Sequence, residues 1–213
     1  MGTARPNATV LTMTSWSPEV MPRGFPRGAP MTLEEWFDLE EDAEGELVDG
    51  FIVEEEVASF VHEATVIWLG EKLRGWVRPR GGFVFGSQVK YRVGERTGRI
   101  PDVSMFFAPP PPGKGASRIA MADVTIEVVT PQPRDERRDR VEKMTDYARA
   151  GARWYWLIDP ALGSFEVFEL TANGTYARVL AATEGVVEAI PGCEGLTLDL
   201  DALWSELAEL PER

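Results

Sequence analysis

The sequence predicts an α+β fold with a mixed central sheet flanked by helices, and three observations carry that reading. Three short apolar runs, Val103 to Phe107, Val124 to Val129 and Trp154 to Ile158, have the length and composition of buried strands. Between the second and third lies a charged helical stretch from about Asp135 to Ala150, closed by Gly151 as a C-terminal stop. Over the whole chain the signals run helix, several mostly antiparallel strands, helix, strand, which is the order of an α+β domain.

At 213 residues the chain is long enough for one domain with a real core. Residues 1–29 are rich in Pro, Gly, Ser and Thr without periodicity and read as a flexible leader, leaving 30–213 as a single domain. A formal charge of −13 argues against a surface that coats nucleic acid, although it leaves room for a local basic groove. The lone Cys193 excludes an internal disulfide and a cysteine-rich zinc site. No apolar run approaches the roughly 20 residues of a membrane helix, and no basic stretch precedes an apolar one at the N-terminus. The expectation is a soluble, cytoplasmic protein with no membrane partner.

The elements follow in order. Thr32 and Glu35 form the pattern of a capping box, starting a helix that runs to about Glu41. Asp49-Gly50 between Leu47-Val48 and Phe51-Ile52-Val53 predicts a tight hairpin. From Ser59 to Val77, Val66, Leu69, Leu73, Trp76 and Val77 share one helical face, and His62 falls on the same stripe. Phe83 to Val93 reads as a strand carrying Gln88, and the Pro-rich loop 108–117 as a surface bulge that cannot continue a sheet. Strands are also expected at Phe165–Leu170 and Tyr176–Leu180, joined by an Asn173-Gly174 turn. A weaker pair at Val186–Ile190 and Leu196–Leu198 precedes a last helix at Asp201–Leu210.

Polar residues in the apolar runs carry the chemistry. Asp102 opens the first run and Glu127 interrupts the second, between Ile126 and Val128. An ionised carboxylate is costly to bury unless a cation or metal compensates it. Mg²⁺, or Mn²⁺ as its substitute, takes one or two such carboxylates and completes its shell with water and substrate phosphate. Asp102 and Glu127 could supply them, with the Val128 carbonyl as a further ligand. Lys143, on the edge of the buried face of the next helix, is the candidate ammonium for orienting water and stabilising phosphate charge. Each residue also has a plain structural reading. Asp102 fits a turn end, Glu127 a strand with one solvated face, Lys143 a solvated helix position, Glu46 a hairpin surface and His62 a core edge. Trp154, Tyr155 and Trp156 fit a core strand better than a stacking platform. Arg137, Arg138 and Arg140 fit intrahelical pairing with Asp135, Glu136 and Asp139.

The succession GELVDGFIVE, a helix bearing His62, IPDVSMF, VTIEVVTPQPRD and KMTDYARAGARWYWLIDP resembles the Uma-two family of candidate endonucleases, within the PD-(D/E)XK or restriction-endonuclease-like superfamily. The resemblance spans roughly Met31 to Leu200. It implies a restriction-endonuclease-like fold and a Mg²⁺-dependent endonuclease acting on DNA, with a homodimer by analogy. It makes Asp102 the acid of the PD half-motif and Glu127 that of the (D/E)XK half-motif. Glu46 becomes a further ligand or water-orienting base, and His62 and Gln88 accessory residues of the cleft. The position two after Glu127 is Val129 rather than lysine, and Lys143 stands where the family supplies its lysine from the following helix. That departure, together with the acidic charge, motivates an alternative: a nuclease-fold binding or regulatory module without turnover. Arg92, Arg96, Arg99 and Arg134 are the candidates for a positive rim that would favour the enzyme.

Overall fold

The Thr32–Glu35 capping box forms as its spacing predicts. Glu35 N donates to Thr32 Oγ1 at 3.2 Å and Thr32 N to Glu35 Oε2 at 2.7 Å, opening helix α1 (Leu33–Phe37). The helix stops at Phe37, short of Glu41, with Leu33, Trp36 and Phe37 buried. The computed structural model of the chain describes residues 28–39, 45–53, 58–110, 116–117, 120–132 and 136–211. The expected leader lies outside these apart from residues 28–29, as do Arg134 and Asp135.

Strands β1 (Glu46–Val48) and β2 (Phe51–Val53) pair through a turn in which Asp49 and Gly50 have φ 51° and 87°. Positive φ at both central residues is the geometry whose twist suits a two-residue hairpin, and Asp-Gly adopts it readily. Helix α2 (Phe60–Val77) is capped by Ser59, which accepts from His62 N at 3.1 Å. The single strand expected from Phe83 is two, β3 (Phe83–Gly86) and β4 (Lys90–Arg92), broken by a turn at Ser87–Gln88. The apolar alternation continues across the turn, but the halves join different sheets.

Next come β5 (Gly98–Arg99), β6 (Val103–Phe106) and β7 (Ala116–Ser117), the last pairing in parallel with β4. The C-terminal end of the Pro-rich loop therefore extends a sheet after all, while 111–115 lie outside the described residues. After β8 (Val124–Val128), a π-helical segment Arg138–Lys143 runs directly into α3 (Met144–Ala150). Gly151 closes it at φ 82°. The chain ends with β9 (Trp154–Asp159), β10 (Ser164–Leu170), β11 (Tyr176–Ala182), β12 (Val186–Val187), β13 (Leu198–Asp199) and α4 (Leu200–Ala208).

The larger sheet has the order β11-β10-β9-β8-β6-β3, with β8 and β9 parallel and the other pairs antiparallel. The smaller is β2-β1-β5-β4-β7. This is the mixed α+β architecture that the sequence predicts. One face of the larger sheet packs Ile126, Trp156 and Phe165 against Leu69 and Leu73 of α2 and Leu203 of α4. On the other, Tyr155 and Leu157 meet Tyr147 of α3 and Tyr91 of the smaller sheet. Every residue of β9 is buried, so its three aromatics are core. Burying a side chain of this size contributes about 1.5–3 kcal/mol. Beneath Trp36 only a glycine fits: a Cβ on Gly98 would fall 2.1 Å from the indole ring. No described helix is long and apolar enough to cross a membrane.

Candidate active site

The antiparallel register of β6 on β8 sets Val103 opposite Ile126, so one step back Asp102 stands beside Glu127. Directly opposed residues project to the same face, which places the two carboxylates together at the carboxyl end of β8. Asp102 Oδ2 accepts from Val128 N at 2.7 Å, and His62 Nε2, from the first turn of α2, lies 3.2 Å from the same oxygen. Burial alone would raise the Asp102 pKa; His62, Lys143 and the Val128 N–H outweigh it and hold the carboxyl below its usual range. Conversely, burial depresses the His62 imidazole, and Asp102 and Glu63 lift it above its ordinary value.

Glu127 is buried, and both its oxygens are engaged. Lys143 Nζ donates to Oε2 at 2.9 Å and Tyr147 Oη to Oε1 at 2.6 Å. Burial pushes its pKa well above the usual carboxylate range; Lys143 opposes that shift, and repulsion from Asp102, Asp139 and Glu46 adds to it. The Tyr147 phenol is pushed up in turn, by burial and by the glutamates. At the start of β1, Glu46 accepts from Arg99 Nη1 at 2.6 Å and from Ile100 N at 2.9 Å. Lys143 Nζ stands 3.5 Å from its Oε1. Despite burial, the cations Lys143, Arg99 and Arg138 hold Glu46 below its usual pKa. Arg99, itself buried, sends Nε and Nη2 to Asp146 Oδ2 at 2.9 and 2.7 Å, tying β5 to α3.

A fourth carboxylate joins the cluster. Asp139, on the π-helical segment, lies 3.8 Å from Lys143 Nζ and is buried, and burial pushes its pKa to about 6. One ammonium thus faces three carboxylates, and a π turn is the kind of irregularity that concentrates at functional sites. The predicted Asp102, Glu127, Lys143, Glu46 and His62 come together. Gln88 does not; it is exposed in the β3–β4 turn. The intrahelical reading of the arginine-rich stretch fails at two positions. Asp139 turns inward, and Arg140 leaves its helix for Asp159 and Glu166 at 2.9 and 2.7 Å. Arg99 is buried against carboxylates and Arg92 pairs with Glu34 at 2.6 Å, so neither is free to rim a cleft. Sequence reasoning missed Asp139, Tyr147 and Arg99 as site residues. The available signal was spacing, since Asp139, Lys143 and Tyr147 recur every fourth residue.

The donor set suits a hard divalent cation. Asp102 and Glu127 supply adjacent carboxylates at a strand end, the Val128 carbonyl follows in the chain, and the cluster carries more negative than positive charge. Among the described residues no three His, Cys, Asp or Glu side chains converge to hold an ion unaided. Mg²⁺ does not demand that, since water and phosphate complete its shell.

Comparison with known proteins follows the same line. No curated protein matches the chain. A crystal structure from Anabaena variabilis, titled as "a putative nuclease belonging to DUF820", superposes with a TM-score of 0.67 at 22% identity, covering 84% of this chain and 99% of the other. At that identity the likeness establishes the fold. The model of the Uma2 family, described as "Putative restriction endonuclease", matches residues 32–201. The chain, which carries the carboxylate cluster inside that match, belongs to the Uma2 family.

Proposed function

We propose that the protein is a Mg²⁺-dependent endonuclease that hydrolyses phosphodiester bonds in DNA. The observation that carries this reading is the convergence of Asp102 and Glu127 at one strand end with Lys143 Nζ 2.9 Å from Glu127. In this reading Asp102 and Glu127, with the Val128 carbonyl, hold the ion; Mn²⁺ substitutes for Mg²⁺. Asp102 Oδ2 is already taken by Val128 N and His62, which leaves Oδ1 for the cation. The bound ion supplies charge neutralisation at phosphate and an acidified water. Lys143 turns from Glu127 toward the phosphate or the attacking water and offsets the charge that develops there. Glu46, kept ionised by Arg99 and Lys143, fixes the ammonium from the other side. His62 orients Asp102. The position of Lys143 favours turnover over the inactive module suggested by Val129, because the helix brings an ammonium to within 2.9 Å of Glu127.

The test is calorimetric titration of Mn²⁺ into the wild type and into Glu127→Gln, followed by cleavage of a DNA mixture. Glutamine keeps the size of the side chain and one acceptor oxygen for Lys143, and its amide N–H can donate to the Tyr147 hydroxyl. Saturable binding and cleavage in the wild type, both lost in the variant, are expected. Full cleavage by the variant would remove Glu127 from the mechanism. DNA binding without metal-dependent cleavage by the wild type would favour the inactive module.

A further inference from the structure

A cavity of about 610 Å³ opens beside the carboxylate cluster, past the end of β8. Its walls come from the start of α2, the residues following β8, the β9–β10 turn and α4, and they are mainly apolar: Val61, Val129, Pro131, Leu162, Trp204 and Leu207 among them. Among the described residues His62 is the single ionisable one in that lining, and Ser59 and Thr130 bring hydroxyls. The same His62 stands 3.2 Å from Asp102, so cavity and cluster share a wall.

We propose that this cavity receives one unstacked nucleobase, that of the nucleotide flanking the scissile phosphate. The inference rests on the nuclease reading and narrows its substrate to DNA that is single-stranded or opened next to the cut. Three features select a base. Among the described residues the lining holds no lysine, arginine or carboxylate, and the His62 imidazole is engaged by Asp102, so neither a phosphate nor a charged side chain finds a free partner in it. Trp204 and His62 bring aromatic rings to the lining, and stacking of bases on aromatic side chains is indifferent to sequence. The volume falls within the range of sites that enclose small planar ligands. Continuity with Asp102 fixes the occupant as part of the same strand, since a ring in the cavity lies one side chain away from the proposed metal. Enzymes that act on a base within a duplex extrude it into a pocket, at an unpairing cost that is smallest when the base is already unpaired.

The experiment uses fluorescein-labelled single-stranded oligonucleotides, intact or with one abasic site moved along the strand. Binding is followed by anisotropy in EDTA and cleavage is followed with Mn²⁺. The expected result is that cleavage beside the abasic site falls by about 5-fold or more relative to the same position of the intact strand, with little change at other positions. Leu162→Asp, at an exposed turn position where folding is not at stake, should reproduce the loss on the intact strand. It should add nothing on the abasic one. Trp204→Ala serves as the second variant. Equal binding and cleavage of intact and abasic strands would overturn the cavity assignment and leave the nuclease reading standing. Absence of both binding and cleavage for every nucleic acid would overturn both. A concentration-dependent dimer dissolved by Leu162→Asp, with DNA affinity unchanged, would give the surface to a second copy of the chain and overturn the proposal.

Discussion

Lys143 Nζ lies 2.9 Å from Glu127 Oε2 and 3.5 Å from Glu46 Oε1, bridging strands β8 and β1 of two different sheets. Both carboxylates are buried away from solvent. Removing one partner of a buried ion pair costs about 3–5 kcal/mol, because the other is left as an uncompensated charge. Lys143→Met should therefore lower stability by about that amount in urea denaturation at neutral pH. Adding Glu127→Gln should recover a good part of the loss. Additive losses in the double variant would show that the two side chains are not coupled.

Asp139 gives a pH signature. Its folded pKa is raised from 3.8 to about 6, so the unfolded chain releases the proton first as pH increases. The sign follows: this group favours the folded state fully below pH 3.8, and the contribution is lost as pH rises through about 6. Asp139→Asn should be more stable than wild type by about 1–3 kcal/mol at pH 8 and nearly equal to it at pH 4. Thermal unfolding at the two values measures the difference; an identical gap at both would remove Asp139 from the titration.

Tyr147 donates to Glu127 Oε1 from a wholly buried hydroxyl. Tyr147→Phe keeps the ring against Tyr155 and deletes only the donor, leaving a buried acceptor with one partner fewer. A cost of about 1–3 kcal/mol is expected in chemical denaturation. If the proposed chemistry holds, the Glu127 carboxylate also loses alignment, and kcat should fall more than KM rises.

Arg99 binds Glu46 through one arm of its guanidinium and Asp146 through two nitrogens. A lysine carries the charge without the fork. Arg99→Lys should cost about 1–3 kcal/mol and Arg99→Met about 3–5 kcal/mol, read from denaturation midpoints at constant slope. Equal effects would mean that only the charge counts.

Much of this was legible in the residues. The Asp49-Gly50 hairpin, the Thr32 cap and the core strands β8 and β9 follow from local chemistry. Asp102 and Glu127 stood out because ionised groups interrupt or border runs that otherwise bury. Three things were hidden, each for a physical reason. The Ser87–Gln88 turn is masked because apolar side chains line both β3 and β4, and only tertiary pairing reveals that they face different sheets. Asp139 sits among arginines that offer plausible local partners, so its inward orientation depends on the buried ammonium across from it. Arg99, on a two-residue strand, carries the charge of a rim residue but lies beneath α3, where Glu46 and Asp146 make burial tolerable.

The wide turn at Arg138–Lys143 has a consequence for how this stretch tolerates change in length. A π turn holds one residue more than an α turn over the same arc, so deleting a single residue there would restore ordinary winding without turning the helix on either side, and the change would fall on the side chains of the widened turn itself. A deletion between Asp139 and Lys143 would shorten their spacing from four residues to three, while Tyr147 kept its place on Glu127. Loops elsewhere in the chain absorb insertions and deletions cheaply; in this helix the count of residues is itself part of the site's wiring.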